Sequence, residues 1–144
     1  ESMNVAKTLV CSLAKKSGIT KEMLKEKMQG IHIHCPDGAV PKDGPSAGAA
    51  ITTAIYSLVL NKKINHTFGI TGEINLQGNV TKIGGLDLKI VGGIRGGIKH
   101  FIYPHENIED FNKFLEKNKN SKIIEGIEFT PVKTIHEVLE KILI

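Results

Sequence analysis

Ser46 stands in the stretch PKDGPSAG, residues 41–48, between Pro45 and the small pair Ala47-Gly48. A serine hydroxyl attacks a carbonyl only when a base takes its proton. Three features suit Ser46 to that task. GPSAG has no bulk on either side of the hydroxyl. The loop Asp43-Gly44-Pro45 before it is stiff. A helix opening here would aim backbone N–H groups outward, where they can stabilise an oxyanion. The plainer use of a serine at a helix start is to cap it, and these residues alone leave both uses open.

Two kinds of base are available. GPSAG also fits G-x-S-x-G, the nucleophile elbow of Ser-His-Asp hydrolases, with Asp87 or Asp110 and His100, His105 or His136 as partners. That elbow needs a strand running straight into the serine, and Pro41 and Pro45 are hostile to strand pairing. The other base is a lysine, which must be neutral to accept a proton and so needs burial to lower its pKa. Lys89 meets this best, flanked by Leu88, Ile90 and Val91 in GGLDLKIVGG. Its plainer role is a lysine snorkelling from an amphipathic helix.

These residues must be held by surrounding elements. Val5, Leu9, Val10 and Leu13 fall at helical spacing over residues 2–17, and Gly18 suits the helix end. Thr20 caps a short second helix. IHIHC, residues 31–35, alternates and predicts a strand with His32 and His34 on one side and Ile31, Ile33 and Cys35 on the other. A third helix is expected from Pro45, at its first position, to about Leu60, carrying Ala49, Ala50, Ala54 and Leu58 inward. A hairpin is expected around Gly78-Asn79, then a helix over LDLKIVGGIRGG interrupted at Gly92-Gly93. HFIYP and GIEFTPV read as strands, with a helix between them capped by Asn107. Thr134 and Glu137 form a capping box before the last helix. Interleaved strands and helices predict an α/β or α+β fold with a mixed sheet in a single domain, residues 1–144.

Composition narrows the function classes. Hydrophobic residues at 40% and charged residues at 24% are those of a folded globular chain. No apolar run reaches the ~20 residues of a membrane span. The net charge of +4 is mild, and the lysines of NKK (61–63) and residues 113–122 read as solvated faces rather than a nucleic-acid surface. Cys11 and Cys35 are the only cysteines, too few for a disulfide framework, and read as small core residues. ESMNVAKTL, the first nine residues, reads as the middle of a longer polypeptide.

HIHCPDGAVPKDGPSAG, GITGEINLQGNVTKIGG and LKIVGGIRGGIKHFIYPHEN, in that order, resemble the C-terminal proteolytic domain of Lon, the ATP-dependent protease family. The resemblance implies a Lon-protease-like fold and a Ser-Lys dyad, with Ser46 as nucleophile and Lys89 as general base. Thr71, in GITGE, matches the family threonine near the lysine, expected to hydrogen-bond and orient it. His32 and His34 match a pair on the strand beside the site, in a supporting or structural role. Asp43, with Gly44 and Pro45, belongs to the serine loop, which in the family can adopt an inactive form.

No metal or organic cofactor is implied for this domain. ATP and Mg²⁺ belong to a separate AAA+ module, whose G-x-x-x-x-G-K-[ST] loop this sequence lacks. The resemblance also implies that the first part of the proteolytic domain lies outside this chain. Unfolded polypeptides as substrates, a hexameric ring, and a location in the bacterial cytoplasm or the mitochondrial matrix are further implications. Asp87-Leu88-Lys89 stands where the family often has Lys-Glu-Lys, Gly92-Gly93 replaces a usual pair of alanines, and Cys35 replaces a common valine. An esterase of the Ser-His-Asp kind and a non-catalytic module for ring assembly are the competing functions.

Overall fold

The computed structural model describes residues 1–34 and 44–144. Among them are six α-helices: α1 (Ser2–Lys16), α2 (Lys21–Met28), α3 (Gly48–Leu60), α4 (Leu86–Arg95), α5 (Ile108–Asn118) and α6 (Ile135–Ile142). Five strands accompany them: β1 (Phe68–Ile70), β2 (Glu73–Ile74), β3 (Val80–Thr81), β4 (His100–Pro104) and β5 (Glu128–Val132). The fold is a mixed α/β domain. β1, β4 and β5 form a parallel sheet with β4 central, while β2 and β3 form a separate antiparallel pair.

The parallel sheet is covered on both faces, as parallel strands require. Alternation along β4 divides the core. Ile102, with Val132 of β5, packs into the cluster built by α1, α3 and α6. Phe101 and Tyr103, joined by the half-buried Phe129, pack into the cluster of α4 and α5. α3 and α4 therefore lie on opposite faces of the sheet. At the far end of β5, Lys141 of α6 reaches Glu128 at 2.9 Å and holds that carboxyl below its usual range.

Most expected elements are present, with informative exceptions. α3 begins at Gly48 rather than Pro45. Its inward face carries Ala49, Thr52, Thr53, Ile55, Tyr56 and Val59, whereas Ala54 and Leu58 face outward. The threonines tolerate burial because each hydroxyl donates to the carbonyl four residues back, Thr52 to Gly48 and Thr53 to Ala49, both at 2.8 Å. The helical seam is therefore turned away from the one that alanine and leucine positions suggest.

α4 runs unbroken through Gly92-Gly93, correcting the expected interruption. Each glycine costs its helix roughly 0.8–1 kcal/mol relative to alanine, but packing of Leu86 and Ile90 into the core holds the helix together. Residues 31–34 are not in a strand. Their alternation survives, with Ile31 and Ile33 against the core and both histidines exposed, because burial of two isoleucines needs only an extended chain. Cys11 is half-buried against the core, while Cys35 lies outside the described residues.

Candidate active site

Ser46 is half-buried in a turn in which the Gly48 N–H donates to the Pro45 carbonyl at 3.0 Å. Gly44, at φ +105°, enters this turn in the left-handed region that favours glycine. Two backbone hydrogen bonds then lock the turn to residue 72. The Gly72 N–H donates to the Ser46 carbonyl at 2.9 Å, and the Ala49 N–H donates to the Gly72 carbonyl at 3.0 Å. In a helix opening at Pro45, Ala49 would have donated to the Pro45 carbonyl instead. Its diversion to Gly72 explains why α3 starts three residues late, with Ala47 rather than a side-chain-bonded serine at the N-cap.

Gly72 is where three elements converge. A Cβ there would overlap Val80 Cγ1 and come within 3.4 Å of Ala49 Cβ. Gly72→Ala should therefore destabilise the fold by about 1–3 kcal/mol, and Val80→Ala in the same chain should restore part of that. Thermal melts of the single and double variants check this. Equal melting temperatures in the two would remove the steric account.

Lys89 lies in the second turn of α4, its N–H donating to the Gly85 carbonyl at 3.1 Å. Ile90 beside it is fully buried and Leu88 exposed, so the lysine stem lies at the margin of the core. Desolvation lowers its pKa below the usual lysine value. The segment leading into α4 is pinned by Asn107. Its Oδ1 accepts from the Ile83 N–H at 3.0 Å, and its Nδ2 donates to the Ile83 carbonyl at 2.8 Å and to Asp110 Oδ2 at 2.8 Å.

Asn107 thus makes no side-chain cap on α5, because its amide is spent on Ile83. Asn107→Ala strands two backbone groups, each at about 1–3 kcal/mol, and should lower stability by at least about 2 kcal/mol. Chemical denaturation measures it. A change below about 0.5 kcal/mol would mean that water replaces the amide at no cost.

Ser46 from the start of α3, Thr71 just after β1, and Lys89 from α4 line one pocket of about 360 Å³ at the β1 edge of the sheet. The rest of its lining is apolar or glycine. Among the described residues, no hydrogen bond joins these three side chains. No histidine of the described residues lines the pocket. His100 lies 3.0 Å from Glu128 and stacks on Phe68 at a centroid distance of 4.4 Å. His136 lines a separate pocket beside α6. Asp87 and Asp110 line another cleft, on the side of α5.

His32 and His34 also fall outside this pocket. Their rings, 6.5 Å apart, border a groove with Ile51, Ala54, Ile55 and Leu58 of α3. Of the serine loop, Gly44 and Pro45 border a neighbouring pocket with Glu73 and Ile74, and Asp43 lies outside the described residues. Among the described residues, no group of three metal-ligating side chains is present. No helix of the described residues is long and apolar enough to cross a membrane.

Several residues that shape the site give no chemical signal in the sequence. Gly72 positions the serine segment through backbone hydrogen bonds, and Asn107 positions the lysine segment through its side-chain amide. Ala50, Ile70 and Phe101 wall the pocket. For Gly72, the glycine in GITGE was the available hint, since a glycine ending a strand often marks close backbone approach.

Comparison with known proteins gives a consistent answer. Residues 1–144 match the family described as Lon protease (S16) C-terminal proteolytic domain. The chain is 46% identical over 140 residues to the Lon protease of Buchnera aphidicola subsp. Schizaphis graminum, covering 97% of the chain and 17% of that protein. It is 43% identical over 139 residues to the Lon protease of Haemophilus influenzae, covering 96% of the chain and 16% of that protein. Against the Lon protease of Azospirillum brasilense it is 41% identical over all 144 residues, 17% of that protein's length. The chain thus spans about a sixth of the length of these relatives.

Proposed function

We propose that this chain, which belongs to the Lon protease C-terminal proteolytic domain family, is a serine endopeptidase domain that cleaves peptide bonds with a Ser46-Lys89 dyad. The observation that carries this reading is the shared pocket. Ser46, Thr71 and Lys89 line one largely apolar space, and the lysine there has a lowered pKa. That is the environment a neutral amine needs to act as a base near neutral pH.

Neutral Lys89 takes the proton from the Ser46 hydroxyl as Oγ attacks the carbonyl carbon. Backbone N–H groups around Ser46 hold the negative oxygen that forms. Collapse breaks the C–N bond, the leaving amine takes the proton from Lys89, and an ester to Ser46 remains. Lys89 then takes a proton from water as the water oxygen attacks the ester carbon; collapse breaks the bond to Ser46 Oγ, Lys89 returns the proton to that oxygen, and the carboxylic acid product leaves. Thr71 orients the lysine amine. Its hydrogen bond forms once substrate closes the pocket, since catalytic hydrogen bonds are often long in the free enzyme.

The wider setting follows from the same family membership. The domain acts within a longer polypeptide whose AAA+ module uses ATP and Mg²⁺ to unfold protein substrates and feed them to a hexameric ring. Its bacterial relatives favour a cytoplasmic location over the mitochondrial matrix. The competing Ser-His-Asp reading loses support because no histidine of the described residues lines the Ser46 pocket. Cleavage of an unfolded protein by Ser46→Ala, Lys89→Met and His100→Gln variants tests the assignment. Loss in the first two alone sustains the dyad, whereas loss in His100→Gln with retention in Lys89→Met moves the base to histidine.

A further inference from the structure

Lys89 takes its place in the pocket from a helix with no side-chain cap of its own. The N-cap of α4 is Gly85, at φ +67°, which offers the helix no side-chain hydrogen bond. Gly84 stands before it, and a Cβ there would meet nothing within 4 Å. Two glycines in a row hold a helix start loosely. The first bond within the helix runs from the Lys89 N–H to the Gly85 carbonyl at 3.1 Å, so a shift of Gly85 passes directly to the lysine.

The fixed point lies just upstream. The Lys82 N–H donates to Glu106 Oε2 at 2.7 Å, a bond to a carboxylate and stronger than one between neutral groups. The Ile83 N–H and carbonyl are both taken by the Asn107 amide, at 3.0 and 2.8 Å. The same amide donates to Asp110 Oδ2 at 2.8 Å, which fixes the end that faces the Ile83 N–H. Glu106 is exposed, and Glu109 and Asp110 already supply acidic groups to the first turn of α5. What Glu106 adds is a grip on the chain between β3 and α4.

We infer that Glu106 and Asn107 are positioning residues for Lys89, a clamp that sets how deeply its amine sits in the Ser46 pocket. This rests on the reading of Lys89 as the base. With the clamp closed, α4 starts at a fixed point and the lysine stem stays against apolar walls. With it open, the glycine pair lets the helix start drift and the amine moves toward water. Among the described residues lining the pocket, Lys89 alone carries a charge. Water is therefore what the amine gains, and its pKa climbs back toward the usual lysine value.

The test varies Glu106, because loss of Asn107 lowers stability by itself. Cleavage of a short unstructured peptide by the full-length protein is followed against pH in Glu106→Ala and Glu106→Gln. In Glu106→Ala the rise of kcat/KM with pH should move up by about half a pH unit, which cuts the neutral amine, and the rate at neutral pH, about threefold. The loss should shrink at high pH, where the amine is neutral in variant and parent alike. Glutamine keeps an acceptor for the Lys82 N–H and should restore the parent profile. A merely structural role lowers cleavage by one factor at every pH and overturns the clamp, as does a profile unmoved in Glu106→Ala. An upward move that glutamine fails to reverse overturns it too. So does a downward move in both variants, the mark of a purely electrostatic role, since losing a carboxylate lowers a lysine pKa. Failure of the underlying reading shows separately, as cleavage that persists in Lys89→Met.

Discussion

Ser46→Ala is expected to remove peptide-bond cleavage while leaving the fold in place: kcat should fall at least about 10³-fold, as when a serine protease loses its nucleophile. The structure makes this a clean substitution. What ties Ser46 to its surroundings is the backbone, through its carbonyl and the Gly72 N–H at 2.9 Å, and that bond survives in alanine. Ala47, not Ser46, occupies the N-cap of α3, so no capping energy is lost. The melting temperature should therefore move by no more than an ordinary surface change of about 0.5 kcal/mol would cause. A large drop in melting temperature together with partial activity would instead mean that the hydroxyl is structural. Unchanged cleavage would favour a module kept for assembly.

Lys89→Met is expected to reduce kcat/KM by about 10²–10⁴-fold, the usual contribution of a positioned general base. It is also expected to make the domain more stable. Burial lowers the lysine pKa in the folded state, so the unfolded chain binds the proton more tightly. The lysine therefore costs stability at neutral pH, and that cost vanishes as pH rises past the unfolded value of 10.5. Methionine has no proton to lose. The stability gap between variant and parent should be widest below the folded-state pKa and should close at high pH. In the parent, cleavage should rise with pH through a pKa below 10.5, as the neutral amine becomes available. A gap independent of pH, or a rate that falls over the same interval, would contradict a desolvated lysine base.

How far the sequence revealed this arrangement depended on the kind of signal. HFIYP and GIEFTPV marked β4 and β5, and a capping box marked the start of α6, where Thr134 accepts from the Glu137 N–H; the strictly alternating IHIHC is not a strand over its described residues. The hairpin around Gly78-Asn79 was equally plain, since Gly78 takes φ +85° and Asn75 Oδ1 accepts from the N–H groups of Gln77 and Asn79. Long motifs in order brought Ser46, Thr71 and Lys89 to attention together, and one pocket holds all three. The start of α3 was hidden because it is decided by a hydrogen bond from Ala49 to Gly72, a partner distant in sequence. The threonine face of the same helix was hidden because hydroxyls that bond back into their own helix behave as core groups. Asn107 resembled a cap, and only the folded chain brings Ile83 within its reach.

α3 and α4 lie on opposite faces of the parallel sheet, and Ser46, in the turn before α3, and Lys89 of α4 share a pocket at the sheet's edge. This bears on the order in which the pocket comes into being. Among the described residues, β1 is held in the sheet only by β4, which lies beyond α4 in the chain. During synthesis the serine is made first, the lysine later, and the strand that secures the edge between them later still. Until Pro104 has emerged and β4 has paired, Ser46 and Lys89 have no common wall to stand against. Pairing of this long-range kind is slow relative to local helix formation. A growing chain thus carries Ser46, and then Lys89, before the wall that brings them together exists.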